Sequence, residues 1–139
     1  MVRSYRGPRT TTGAVGLPKP RRLGVIGKAS LTPYEEAGIT YIGRCIAALG
    51  HTLVIAEAPG VATAVKVGVE VQGGKVQIVP NGVIENSDLT LVYPDPPLLA
   101  RLMDKYPSLD TQVTIIDDID RWLDAIKQIF HQMKIQPPG

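Results

Sequence analysis

The sequence contains little cysteine and few aromatic residues. Cys45 is the one cysteine among 139 residues, so no disulfide can form within the chain. Aromatic residues make up 5% of the chain, which predicts a core built mainly from aliphatic side chains. No apolar run approaches the roughly 20 residues that a membrane span needs, and nothing apolar follows the N-terminal arginines. These absences predict a cytoplasmic protein without membrane association.

A strong net charge is also lacking. The formal charge is +2, which by itself is too small to predict nucleic-acid binding. Hydrophobic residues make up 44% of the chain and charged residues 20%, a composition typical of a globular protein with a real core.

Several motifs of cofactor and metal chemistry are missing. The chain has no Walker A motif, no Gly-x-Gly-x-x-Gly pattern after its first predicted strand, and no CxxC or HExxH motif. No cofactor and no metal are therefore predicted. We expect His51 and His131 to be surface residues and Cys45 to be an inert buried thiol. Three neighbouring acidic residues could suggest a metal site, namely Asp117, Asp118 and Asp120. They are better explained as acidic residues at a helix N-terminus, where the helix dipole stabilises negative charge.

Residues 51–82, HTLVIAEAPGVATAVKVGVEVQGGKVQIVPNG, have the pattern of a β–α–β unit. Residues 52–56 and 75–79 are short apolar runs, typical of buried parallel strands. From Val61 the apolar residues recur at helical spacing, and Gly73-Gly74 ends the helix. The unit predicts a helix N-terminus at the carboxyl edge of a sheet, where open α/β sheets bind anionic ligands.

The rest of the chain repeats this alternation. Strands are predicted over residues 23–27, 88–93 and 111–116. Thr32, Pro33 and Glu35 form a capping box that begins a helix ending near residue 49. Two more helices are predicted, a short one from residue 97 to about 106 and a last one capped by Asp117 or Asp118.

Five strands that alternate with four helices predict an α/β fold. We expect a Rossmann-like, doubly wound parallel sheet with helices on both faces, in a single domain over residues 22–133. Residues 1–21 are predicted to be a disordered basic tail and residues 134–139 a second tail. The arginines of the first tail suggest either an arm that contacts phosphates or a solvated leader, and the leader is the favoured interpretation: Arg3, Arg6 and Arg9.

Two loops at the predicted strand ends are the candidate binding site. Gly27, Lys28, Ala29 and Ser30 follow the first strand, and Pro59, Gly60 and Val61 open the second helix. We expect the backbone N–H groups of Gly60 and Val61 to face an anion and Lys28 to add a positive charge. The alternative interpretation is that both loops only connect a strand to a helix and bind no ligand.

The segments VIGKAS, AEAPGVATAV and GGKVQIVPNG resemble the Rossmann-like superfamily that includes the LOG (lysine-decarboxylase-like) proteins and DNA-processing protein A. In those families a Gly-rich turn after the second strand opens the second helix, and a Gly-Gly pair precedes the third strand. The matching positions here are residues 57–61, Gly73, Gly74 and Pro80. The resemblance covers residues 22–130. It implies a nucleotide-binding domain and a homodimer.

One family motif is not retained. LOG enzymes carry Pro-Gly-Gly-x-Gly-Thr-x-x-Glu after the fourth strand, where this chain has YPDPPLL. Proline has no N–H group, so this segment cannot rebuild the phosphate cradle of the enzymes. We therefore predict binding of a nucleotide-like small molecule without turnover.

Two alternatives stay open. The first is a divergent nucleotide 5′-monophosphate phosphoribohydrolase with Glu57 and Asp95 as its catalytic candidates. The second is a single-stranded-DNA-binding module, similar to DNA-processing protein A, that uses the N-terminal arginines.

Overall fold

Nine elements make up the part of the chain that the structure, a computed structural model, describes: residues 21–106 and 113–139. The strands are β1 (Arg22–Gly27), β2 (Thr52–Ile55), β3 (Lys75–Ile78), β4 (Leu89–Tyr93) and β5 (Val113–Ile115). The helices are α1 (Pro33–Ala48), α2 (Val61–Val71), α3 (Pro96–Lys105) and α4 (Ile119–Met133). The basic tail with Arg3, Arg6 and Arg9 lies outside the described residues, as do the first two residues of the predicted fifth strand.

The five strands form one parallel sheet in the order β3-β2-β1-β4-β5. The main hydrophobic cluster joins the sheet to α1, α2 and α4 and includes Trp122 and Phe130, both almost fully buried. A smaller cluster joins β4 and β5 to α3 on the opposite face. The predicted Rossmann-like sheet with helices on both faces is confirmed.

The connection between β3 and β4 contains no helix. Residues 79–88 cross the second face of the sheet as a turn-rich segment and bury Val79 and Val83 against it. A Cβ atom at Gly24 of β1 would overlap the side chains of Ser87 and Val83. The glycine therefore lets this segment pack directly on the strand, and the second face is thinner than the first.

Local signals set most of the element ends. The capping box of α1 is present, since Thr32 accepts from the Glu35 amide and Glu35 accepts from the Thr32 amide. α2 begins at Val61, as predicted, and α3 begins one residue earlier than predicted because Asp95 caps it. Asp118 caps α4, which confirms the interpretation of the aspartates as helix N-terminal acids.

The expectation that His51 lies on the surface is wrong. His51 is 3% exposed, and its Nδ1 accepts a hydrogen bond of 3.1 Å from the backbone N–H of Arg21. The residue stands in the short connection between α1 and β2, and its own N–H donates to the Ile46 carbonyl. His131, on α4, is exposed as predicted.

α1 and α2 approach each other through two glycines. A Cβ atom at Gly43 would overlap the Val65 carbonyl of α2, and one at Gly68 would overlap the Thr40 carbonyl of α1. Both obstacles are backbone atoms, which cannot rotate away as the end of a side chain can. The helix pair therefore depends on the absence of side chains at these two positions.

We expect Gly43→Ala to lower the free energy of unfolding by roughly 1–3 kcal/mol, because overpacking outweighs the gain of about 1 kcal/mol in helix propensity. Gly38→Ala is the matched control in the same helix, since the nearest atoms to its Cβ would be side-chain atoms, Ile119 at 3.0 Å and Leu123 at 3.5 Å. Urea unfolding of both variants measures the difference. Equal stability of the two variants would contradict backbone contact at Gly43.

Candidate functional site

A cleft lies at the carboxyl edge of the sheet. β2 and β3 lie on one side of β1, and β4 and β5 lie on the other side. The direction in which the chain adds strands to the sheet therefore reverses between β1 and β4. Ligands of open α/β sheets bind at such switch points. The cleft has a volume of about 310 Å³, at the small end of the range for ligand pockets. Its lining comes from four places: the end of β1 with its loop, the segment from the end of β2 into α2, Val83, and α3 with its capping residue Asp95.

The cleft includes part of the predicted site. Gly27, Lys28 and Ala29 line one wall, and Pro59 lines another. Ser30, Gly60 and Val61 are not among the lining residues.

The sequence interpretation missed the contribution of α3 to the cleft. It gave Asp95 only a catalytic role, and it did not assign Leu98 or Arg101 to the site. The signal was present, since α3 directly follows β4, one of the two strands that flank the switch point.

The loop after β1 packs tightly against the entry of α2. Gly60 has φ of +80°, a conformation that favours glycine, and a Cβ atom there would overlap the backbone of Lys28 and Ala29. The N–H of Val61 donates to the Lys28 carbonyl at 3.1 Å. Our expectation that the Val61 amide faces an anion is therefore wrong, because this amide already donates to a carbonyl of the loop after β1.

The entry of α2 still keeps free amide groups. Side chains cap the other three helices, namely Thr32, Asp95 and Asp118. α2 begins after Gly60, which has no side chain to accept a hydrogen bond. The first amides of a helix have no carbonyl partner within it, and in α2 those of Ala62 and Thr63 have no acceptor among the described residues. Ala62 lines the cleft.

Lys28 does not provide the free charge that we predicted. Its ammonium lies 2.6 Å from Glu35 Oε2 and 5.0 Å from the centre of the Tyr93 ring. The Tyr93 hydroxyl donates to the same carboxylate oxygen. The Lys28 and Glu35 side chains are 23% and 14% exposed, so the pair is well shielded from solvent. Glu35 and Tyr93 are the two residues of this cluster that the sequence analysis did not identify as neighbours of Lys28.

The three groups hold each other in defined protonation states. The ammonium of Lys28, then the Thr32 amide and the Tyr93 hydroxyl, lower the pKa of Glu35 from 4.5 to about 2. Burial and the neighbouring Glu35 carboxylate raise the pKa of Tyr93 well above its usual value. At neutral pH Glu35 is thus a carboxylate and Tyr93 a neutral hydroxyl, and neither is poised to exchange a proton.

Arg101 is the cation at the cleft that remains available. It is exposed on α3 and forms no ion pair with any residue in 21–106 or 113–139. Asp95, half-buried at the start of the same helix, accepts from the Leu98 amide through Oδ1 at 2.9 Å. The cleft therefore combines one free guanidinium, free helix amides and one carboxylate with an otherwise apolar wall.

The two catalytic candidates line different hollows. Asp95 lines the cleft, whereas the exposed Glu57 lines a neighbouring hollow beside α2. Two carboxylates must flank the same bond to hydrolyse a glycosidic link. The two hollows adjoin, since Ala58, Pro59 and Ala62 line both.

Other reactive groups are inert or dispersed. Cys45 is buried, as predicted, and burial raises the pKa of its thiol to about 12. In the described part of the chain, no three His, Cys, Asp or Glu side chains are grouped so that they could hold a metal ion. None of the helices described here has the length and apolar character needed to cross a membrane.

We expect Glu35→Gln to destabilise the protein by about 2 kcal/mol at neutral pH, because the ion pair and its hydrogen bonds lose their charge. The folded-state pKa is lowered, so this stabilisation is present above the usual carboxyl pKa and is lost as pH falls. The difference between wild type and variant should therefore shrink between about pH 5 and pH 2. Urea unfolding over a pH series provides the measurement.

Glu36→Gln is the control, since Glu36 lies in the same first turn of α1 but is exposed and outside the cluster. A loss equal to that of Glu35→Gln, with the same dependence on pH, would contradict the role assigned to Glu35.

Comparison with known proteins finds similarity at the level of structure. No protein-family model matches the sequence, and no curated protein matches it. Three solved structures of the molybdenum cofactor (Moco) carrier protein from Chlamydomonas reinhardtii do match. Their sequence identities to this chain are 14%, 16% and 16%, and their TM-scores are 0.50, 0.56 and 0.54, respectively. The alignments cover 81%, 81% and 82% of this chain and 99% of each carrier chain. Identity this low shows a common fold alone, and that fold is Rossmann-like.

Proposed function

We propose that this chain binds a small phosphate-bearing molecule, a nucleotide or a compound of similar size, in the cleft between the ends of β1 and β4, and holds it without turnover. The observation that carries the proposal is the uncapped N-terminus of α2 at this cleft. The amides of Ala62 and Thr63 have no acceptor within residues 21–106 and 113–139, whereas each of the other three helices described there has a capping side chain.

The phosphate would lie at the entry of α2. Free N–H groups and the positive end of the helix dipole favour an anion there. Arg101 lines the same cleft and provides planar donors that suit phosphate oxygens. Lys28 contributes less, because Glu35 already neutralises it.

The rest of the ligand would lie against the apolar wall. Ile26, Val83 and Leu98 form part of this wall and suit the face of a flat ring. Asp95 Oδ2, the oxygen that the Leu98 amide does not use, can accept from a ring amine or a sugar hydroxyl. A volume of about 310 Å³ favours a mononucleotide-sized ligand over a dinucleotide.

The structural comparison supports a holding function. The similar solved structures are of a protein named as a carrier of the molybdenum cofactor, which means that it carries a small molecule. We extend that class of function, and not the identity of the cargo, to this chain. Membership of the LOG-like superfamily, proposed from VIGKAS and AEAPGVATAV, is consistent with the shared fold.

Catalysis is disfavoured by the same geometry. Glu57 and Asp95 line separate hollows, and Asp95 also serves as the cap of α3. The segment YPDPPLL stands where LOG enzymes carry the glycines and the glutamate of their second motif. A ligand bound at this cleft would meet donors for its phosphate but no second carboxylate for bond cleavage.

We expect AMP to bind the wild-type chain and Arg101→Ala to bind it about tenfold more weakly or worse, because one charge-assisted hydrogen bond is lost. Isothermal titration calorimetry with AMP, and with inorganic phosphate as a second probe, measures both. AMP should bind more tightly than phosphate if the apolar wall holds the ring. Chromatography of the incubated mixture should recover AMP intact.

Lys105→Ala is the matched control, since it removes the same charge from the same helix outside the cleft. No binding of AMP or phosphate by the wild type would refute the proposed ligand class. An equal effect of the two substitutions would refute the role of Arg101, and release of adenine would refute the absence of turnover.

A further inference from the structure

The hollow that adjoins the cleft is the larger of the two cavities. Its volume is about 450 Å³, against about 310 Å³ for the cleft. The two cavities share part of the loop after β2 and the first turn of α2, so a ligand that fills the cleft can extend across this boundary. We call the larger cavity the α2 hollow, and six residues line it alone: Ile55, Glu57, Thr63, Lys66, Val67 and Glu70.

One flank of α2 forms a wall of the α2 hollow. Thr63, Val67 and Glu70 follow one another at helical spacing along this flank. The Thr63 hydroxyl donates to the Ala58 carbonyl at 2.7 Å, which ties the loop after β2 to the helix. The hydroxyl oxygen can still accept a hydrogen bond from a ligand. The chain itself therefore fixes the boundary between the two cavities.

The amides without acceptors lie at this boundary. Ala62 lines both cavities, and Thr63 lines the α2 hollow. Neither amide has an acceptor among the described residues. A phosphate bound to these amides would therefore stand between the two cavities. The nucleoside would extend into the cleft from one side of the phosphate, and a substituent on the other side would enter the α2 hollow.

The α2 hollow carries charges of both signs. Glu57 and Glu70 are exposed and Lys66 is half-buried, and none of the three forms an ion pair with a residue in 21–106 or 113–139. The two carboxylates would repel an anionic group, and a cationic group would leave the Lys66 ammonium without an acceptor. Neutral hydroxyls suit both kinds of partner, because each can donate to a carboxylate and accept from the ammonium.

The remaining lining of the α2 hollow is apolar. Ile55 is buried beneath it, and Val67, on α2, is 44% exposed. A group that has one apolar face and several hydroxyls would cover this exposed side chain and satisfy the charged groups around it. A sugar ring has this combination.

We infer that the α2 hollow holds a sugar attached to the phosphate end of the bound nucleotide, so that the ligand class is a nucleotide sugar. The inference rests on the proposed function, because the nucleotide part occupies the cleft. Glu57 accepts from hydroxyls of the sugar, and Lys66 donates to others. The exposed carboxylate of Glu57 thereby has a role in binding, with no part in bond cleavage.

Isothermal titration calorimetry of the full chain with AMP, ADP, ADP-glucose and ATP, without divalent cations, tests the inference. We expect ADP-glucose to bind about tenfold more tightly than ADP, because its hydroxyls gain hydrogen bonds to charged groups. ATP should gain nothing over ADP, since its third phosphate would stand beside Glu57 and Glu70.

Glu57→Ala should reduce the preference for ADP-glucose over ADP to about threefold or less. Glu36→Ala is the matched control, since Glu36 is an exposed glutamate on α1 that lines neither cavity, and it should keep the full preference. Arg101→Ala should weaken the binding of ADP and ADP-glucose by a similar factor, because Arg101 lines only the cleft.

The outcomes separate this inference from the proposed function. Failure of AMP and ADP to bind the wild type would refute both. Binding of ADP and ADP-glucose with equal affinity would overturn the inference alone. A gain for ATP as large as that for ADP-glucose would overturn it too, as would a preference for ADP-glucose that survives Glu57→Ala.

Discussion

The carboxylate of Glu35 connects the elements that surround the switch point of the sheet. One of its oxygens closes the capping box of α1, and the other receives the Lys28 ammonium and the Tyr93 hydroxyl. Through these contacts it joins the loop after β1, the first turn of α1 and the end of β4. A shielded carboxylate needs such partners, since burying it unpaired would cost far more than the pair gains.

This arrangement decides where positive charge is available for a ligand. The sequence places Lys28 in the first loop as a candidate cation for the ligand. In the structure, however, its ammonium forms an ion pair with Glu35. Arg101, on a helix that follows the other strand of the switch point, forms no ion pair within the described ranges 21–106 and 113–139. The candidate anion site is therefore shifted from the first loop toward the space between α2 and α3.

Glycines set how closely α1, α2 and the loop after β1 approach one another on the first face of the sheet. Gly43 and Gly68 let α1 and α2 touch backbone to backbone, and Gly60 lets the entry of α2 touch the loop after β1. Close packing here removes the Val61 amide from the cleft and leaves the amides of the next residues as the available donors. Thus the same contacts that hold the layer together also define which groups a ligand could meet.

The sequence alone determined the order, type and approximate bounds of the elements, because these follow from local signals: apolar periodicity, the capping box at Thr32 and Glu35, and the Gly73-Gly74 stop. It also located part of the cleft lining, Gly27 to Ala29 and Pro59, since strand ends meet at one edge of a parallel sheet. Only the tertiary structure decided that His51 is buried, that Glu35 neutralises Lys28, and that Val61 donates to Lys28. The physical reason is that a hydrogen bond or an ion pair depends on distances between residues far apart in the chain, and these distances are set by how helices and strands pack, which no local pattern encodes.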